Sequence, residues 1–269
     1  QAVSYTNEAG EAFTIDCRFV IDASGYGRVL PQLFDLEVPV STPPRGAIFA
    51  HVDDTKRTDK AGRNIFVHAF NNNTAWMWSI PFSDGSTSVG IVGEVPYIEE
   101  CDENNGAKFR EMIENFPGLE GRYTNNDLKF EPRKIVNYAV SVKQLYGEGY
   151  ILCGNSTEFL DPIFSSGVTL AVSSGYKAAA IVADHLKGKE VDWDADYGDV
   201  LKKGIDVFRS YVLGWYDGTL GKIFFGENQN ETIKQQICSV LAGYIWDDSN
   251  PFVRKHKTML KTVAHVATM

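Results

Sequence analysis

One stretch constrains the fold more than any other. Gly149-Tyr150-Ile151-Leu152-Cys153 is a short apolar run suited to a buried strand, and residues 168–186 are rich in Ala, Val and Leu at helical spacing. Between them lies a loop rich in short side chains: Gly154-Asn155-Ser156-Thr157-Glu158-Phe159-Leu160-Asp161-Pro162-Ile163-Phe164-Ser165-Ser166-Gly167. The helix opens on Ser165-Ser166-Gly167-Val168, so its first amide donors are free and the positive end of its dipole faces the loop. An anion or an electron-rich carbonyl belongs at such an end. Gly154, Ser156, Ser165, Ser166 and Gly167 keep the backbone close to whatever the loop holds. The plain alternative is a strand–turn–helix in which Ser165 or Ser166 only caps the helix.

Two further motifs precede this junction. Phe19-Val20-Ile21-Asp22-Ala23-Ser24-Gly25 reads as a strand ending in a turn, and Trp76-Met77-Trp78-Ser79-Ile80-Pro81 reads as a strand on which Trp76 and Trp78 point the same way. From spacing alone the two tryptophans are an ordinary core pair; the sharper reading is one wall of a cavity.

Together, in this order, the three motifs resemble those of flavin-dependent halogenases within the wider class of aromatic-hydroxylase-like flavoproteins. The resemblance implies FAD, held by Asp22, Ser24, Gly25, Gly154, Asn155, Asp161, Pro162, Gly167 and Val168. It implies a halide on the amides of Ser166 and Gly167, with Ser165 between the flavin side and the substrate side. It makes Trp76, Trp78, Ile80 and Pro81, with Ser165, the catalytic set: a wall that keeps the FAD hydroperoxide from the substrate while oxidised halide passes. Asp161-Pro162-Ile163-Phe164-Ser165-Ser166-Gly167 has Phe164 where tryptophan halogenases carry a carboxylate, and so is closer to the branch acting on phenols, pyrroles or carrier-tethered aromatics. The implied partners are a small aromatic substrate, free or carrier-tethered, a halide and a separate flavin reductase. Two rivals stand beside this: an FAD-dependent monooxygenase or reductase, and an inactive flavoprotein binding module.

The family pattern is departed from twice. Asn155 replaces the aspartate expected after Gly154, offering a neutral acceptor without charge assistance. No Gly-x-Gly-x-x-Gly turn follows a strand, although flavoproteins of this type receive the pyrophosphate there. The expectation is a chain that starts mid-domain, lacks the family's active-site lysine and is inactive by itself.

Composition separates the remaining classes. With 43% hydrophobic and 23% charged residues, 269 residues can bury a sizeable core. The formal net charge of −9 opposes nonspecific nucleic-acid binding. Cys17, Cys101, Cys153 and Cys238 have no C-x-x-C spacing, which points to reduced thiols and a cytoplasmic setting. No apolar run reaches the roughly 18 residues of a membrane span. The histidines have no metal-ligand spacing. Asp192, Asp194 and Asp196 begin like a calcium loop, but Tyr197 and Lys203 occupy its glycine and glutamate positions, so a charged helix start explains them better.

The fold expected is α+β: part of an FAD-binding α/β domain, an antiparallel substrate-side sheet and a C-terminal helical region. Residues 1–30 belong to the FAD-binding part, with a hairpin whose second strand delivers Asp22. Residues 31–145 form the sheet with one helix, 146–190 the FAD-binding strand–loop–helix, and 191–269 the helical region. Within the sheet region, 31–44 is a proline-rich connector, 45–52, 64–70, 74–81 and 87–94 are strands, 104–116 is a helix and 133–142 a returning strand. Tyr211, Trp215 and Tyr216 share one helix face, by default in the core, the alternative being the lining of a substrate pocket.

Overall fold

The computed structural model describes residues 2–55, 57, 63–70, 74–226 and 230–267. Asp59-Lys60-Ala61-Gly62 and Asn71-Asn72-Asn73, whose turn-forming residues separate the expected strands in sequence, lie outside them. The chain divides into two compact units, residues 42–139 and residues 1–41 with 140–269. It mixes helix and sheet, as expected.

The second of these units begins with a hairpin. Strands β1 (Ala2–Thr6) and β2 (Ala12–Asp16) pair antiparallel around Asn7 to Gly10, and Tyr5 stacks on Phe13 at 5.3 Å. The hairpin does not deliver Asp22. A separate strand, β3 (Val20–Asp22), does so, because the amide of Val20 donates to the carbonyl of Gly149 at 2.9 Å and opens a ladder elsewhere. A short helix α1 (Val29–Leu33) and strand β4 (Glu37–Val38) interrupt the expected connector; Pro31 fits the helix because its fixed φ suits a first turn.

The other unit is an antiparallel sheet with a helix on one face. Strands β5 (Arg45–Asp53), β6 (Phe66–Phe70), β7 (Ala75–Pro81) and β8 (Ser86–Glu94) lead to helix α2 (Val95–Glu114) and strand β9 (Arg133–Val136), in sheet order β6-β7-β8-β5-β9. Side-chain alternation puts Ile48, Ala50, Val52, Met77, Val89 and Ile91 into one core with Ile98, Phe109 and Ile113 of α2. The helix starts earlier than 104 and is broken at Glu103 to Gly106, where Asn104 and Asn105 take φ of 55° and 57°. The strand expected over 133–142 is likewise split, by Asn137 at φ 53°. Both breaks use asparagine, which tolerates the left-handed region.

Back in the unit that holds both termini, β10 (Ser141–Val142) pairs with β4, while β11 (Tyr146–Gly147) and β12 (Tyr150–Leu152) form with β3 a small sheet ordered β11-β12-β3. The β12–β3 pair is parallel, with Ile151 opposite Ile21 and Leu152 opposite Asp22. Helices α3 (Ser166–Leu186), α4 (Asp199–Tyr216), α5 (Thr219–Phe225), α6 (Glu231–Leu241), α7 (Pro251–Arg254) and α8 (His256–Val266) complete it. Tyr197, Leu201, Phe208, Tyr211 and Val212 are buried, as are Ile151 and Leu152, and the Tyr197 hydroxyl donates to the Leu152 carbonyl. Among the described residues no helix is long and apolar enough to cross a membrane.

Candidate active site

The parallel ends of β3 and β12 bring the first and third motifs together. Asp22 is 5% exposed, and its carboxylate is engaged by the chain itself. One oxygen accepts from the Ser24 amide at 2.7 Å and the Ser156 hydroxyl at 2.9 Å; the other accepts from the Leu30 amide at 2.8 Å. Burial pushes the Asp22 carboxyl upward, but these donors outweigh it and hold the group below its ordinary value. Ser24 and Ser156 lie 3.2 Å apart, oxygen to oxygen. Gly25 and Gly154 take φ of 61° and 58°, so both turns leave their strands through the left-handed region that glycine enters without strain.

Residues outside the expected set fix this loop. Arg28, 3% exposed and left-handed at φ 44°, donates to the carbonyls of Asn155 at 2.7 Å and Ser141 at 3.1 Å, and pairs with Glu37 at 2.7 Å. Ser174 of α3 accepts from the Gly154 amide at 2.8 Å. Buried Glu158 accepts from Arg209 of α4 at 2.7 Å and from the Ser141 hydroxyl at 2.6 Å. Of these residues Glu158 alone carries a local signal that could have marked it, a carboxylate amid small and apolar loop neighbours. The Asn155 side-chain amide has no hydrogen-bond partner among the described residues, so its donor and acceptor remain available.

Downstream, Asp161 caps a short turn, Pro162–Phe164, by accepting from the Ile163 amide at 2.9 Å, while its second oxygen accepts from Tyr216 at 2.9 Å. Burial and the Asp161 charge both raise the Tyr26 phenol. Tyr216 thus leaves the aromatic face shared with Tyr211, whose hydroxyl donates to the Phe252 carbonyl inside the core. Exposed Ser165 is left-handed at φ 52° and enters α3 without a side-chain cap, which removes the simple N-cap reading for that residue. Ser166 and Gly167 then supply the first helical amides, and Val168 is 71% exposed. Gly167 is not left-handed. Its lack of a side chain serves close packing, since a Cβ there would lie 3.1 Å from the Phe159 ring.

In the sheet unit, β7 carries Trp76, Trp78 and Ile80 on the face opposite Met77 and the α2 core, with Pro81 at the strand end. Trp78 lies flat over Gly90, where a Cβ would come within 2.1 Å of the indole. Its Nε1 donates to Ser88 at 3.1 Å, and its ring centre is 5.8 Å from Trp76 and 6.1 Å from Phe49. Trp76 is 1% exposed. The two rings thus sit together on one face of the strand, Trp76 enclosed and Trp78 half-buried.

A parallel pair of strand ends tied to a small-residue loop and a long helix is the geometry at which α/β sheets offer backbone amides to a ligand. The family model described as tryptophan halogenase matches residues 3–268, and the chain belongs to that family. It is 25% identical over 240 residues to a 1H-pyrrole-2-carbonyl-(peptidyl-carrier protein) chlorinase of Pseudomonas fluorescens, covering 86% of this chain and 53% of that protein. It is 26% identical over 208 residues to the corresponding brominase of Pseudoalteromonas luteoviolacea, covering 75% of this chain and 50% of that one. The chain therefore spans about half the length of these curated relatives. A solved flavoprotein/dehydrogenase from Cytophaga hutchinsonii is 47% identical with a TM-score of 0.95, over 100% of this chain and 66% of its own.

Proposed function

We propose that the complete protein is an FAD-dependent halogenase of an electron-rich, phenol- or pyrrole-like ring, taken up on a carrier protein. The observation that carries this reading is the union in one chain of the Asp161-capped turn, which sets Ser165 left-handed before the free amides of Ser166 and Gly167, with the rigid Trp76–Trp78 surface. The pyrrole chlorinase and brominase relatives support the substrate class.

The donor set fits the ring side of FAD. Left-handed Gly154, the unpartnered Asn155 amide and the start of α3 present short neutral donors and acceptors suited to ribityl hydroxyls and flavin carbonyls. No Gly-x-Gly-x-x-Gly turn for a pyrophosphate follows a strand in this sequence, so the contacts these residues offer are to the flavin ring and ribityl chain. FAD, when bound, would supply the oxidising power for halide, with reducing equivalents from a separate reductase and oxygen as co-substrate. The chain's part is to orient the ring through residues 154–157, hold halide at Ser166 and Gly167, and offer a wall that excludes water through Trp76 and Trp78.

A second reading, oxidation without halogen transfer, is favoured by the 47% identical relative described as a flavoprotein/dehydrogenase. Product mass spectra decide. The complete protein, given reduced FAD, oxygen and chloride or bromide, is expected to add halogen to pyrrole or phenol rings, free or carrier-bound. Products carrying added oxygen and never halogen across such a panel replace the proposal with the second reading.

A further inference from the structure

The chain has a formal net charge of −9, yet no Asp or Glu follows Asp248, while Arg254, Lys255, Lys257 and Lys261 do. Helices α7 and α8 turn Phe252, Val253, Leu260 and Ala264 inward and leave all four of these cations exposed. Lys257 pairs with Asp206 of α4 at 2.8 Å; Arg254, Lys255 and Lys261 have no acidic partner among the described residues. Beside them, between α4, the start of α5 and α8, lies a cavity of about 310 Å³. Leu213, Gly214 and Leu260 contribute apolar lining; Arg209, Lys257 and Lys261 bring positive charge, partly balanced by Asp206 and Asp217. The same Arg209 holds Glu158 in the candidate cofactor loop at 2.7 Å.

We infer that the α7–α8 face, with this cavity, is the docking surface for an acidic carrier protein bearing the aromatic substrate. The inference rests on the carrier-tethered reading given above. Charge complementarity selects the occupant. At physiological salt, charges are felt over roughly 8 Å, so a small acidic domain meets the basic helix while the rest of this acidic chain stays screened from it. An extended polyanion, such as nucleic acid or an anionic bilayer, meets the repelling remainder as well. Arg209 gives a bound carrier a direct line to Glu158, and so to the loop at 154–161.

The test uses the complete protein and its Lys255→Glu/Lys261→Glu and Lys255→Gln/Lys261→Gln variants. The probes are the peptidyl-carrier protein of the Pseudomonas fluorescens pyrrole chlorinase loaded with pyrrole-2-carboxylate, the same acyl group as a small N-acetylcysteamine thioester, and phosphatidylserine vesicles. Carrier binding is expected to weaken with added salt, about threefold in the neutral variant and about tenfold in the reversed one, with turnover of the small thioester unchanged. Carrier binding that is absent, or equal in all three proteins, overturns the inference. So does vesicle binding that matches carrier binding. If the carrier binds as expected and no halogen is transferred, the docking surface stands and the halogenase proposal falls instead.

Discussion

The two units hold their candidate site residues by different means. In residues 42–139 a continuous antiparallel sheet and one helix fix the tryptophans through packing: β5 and β8 pair over nine residues each, and Ile48, Ala50, Val52, Met77, Val89 and Ile91 share one apolar cluster with α2. In the unit containing both termini, β3 and β12 pair over only three residues, and the loop they launch is held by single polar groups, Asp22, Arg28, Glu158, Asp161 and Ser174. Packing spreads its support over many weak contacts. A buried carboxylate or guanidinium concentrates support in a few strong ones, and losing it leaves its partners unsatisfied. The tryptophan surface is therefore expected to tolerate conservative change, whereas the cofactor loop should respond sharply to isosteric polar substitutions.

The largest effect is expected from Phe109→Ala, which empties the centre of the sheet unit's core and should cost about 3–5 kcal/mol in denaturant unfolding. A smaller loss would mean that α2 contributes less to that core than its burial implies. Asp22→Ala comes next, at roughly 2–3 kcal/mol, because the Ser24 and Leu30 amides and the Ser156 hydroxyl lose their shared acceptor. Hydrogen exchange should quicken at Ser24 and Leu30 and leave the strands of the sheet unit unchanged; a uniform rise throughout the chain would erase the contrast between the units.

The pH response should follow the same division. The folded-state pKa of Asp22 is lowered, so its stabilisation is full above the unfolded carboxyl value, about 3.9, and is lost as pH falls through the lower folded value. Acid titration followed by exchange should open the Leu30 amide in that window, and Asp22→Asn should remove the transition. Tyr216→Phe is the mildest of the set, about 1 kcal/mol, and should show mainly as faster exchange at Ile163, whose amide shares Asp161 with the lost hydroxyl.

Local signals in the sequence locate the strand before Gly154, the helix to Leu186 and four of the five strands of the sheet, β5 to β8, because period-two and helical spacing are carried by neighbours. The motif Trp76 to Pro81 also falls on one strand as its spacing requires. What local spacing does not carry is the support. Arg28 and Asn155 are 127 residues apart, and nothing near Arg28 marks a buried guanidinium or a left-handed backbone. The breaks at Asn104, Asn105 and Asn137 are invisible for a related reason: asparagine permits such geometry but does not demand it. The misplacement of Asp22 on the hairpin has a third cause, since a strand of three residues is too short for periodicity and is defined only by its partner far along the chain.

The central claim is that the tryptophan surface and the α3 entry serve one reaction in which oxidised halide, and no other oxidant, reaches the ring. The most direct measurement is the ratio of halogenated product to released hydrogen peroxide in the complete protein, compared with Trp78→Ala under reduced FAD, oxygen and bromide. The predicted result is a marked fall in that ratio, with hydroxylated or uncoupled products rising, in a variant that still folds and still binds FAD. An unchanged ratio in a folded, FAD-bound variant would contradict the account and leave Trp78 a packing residue over Gly90.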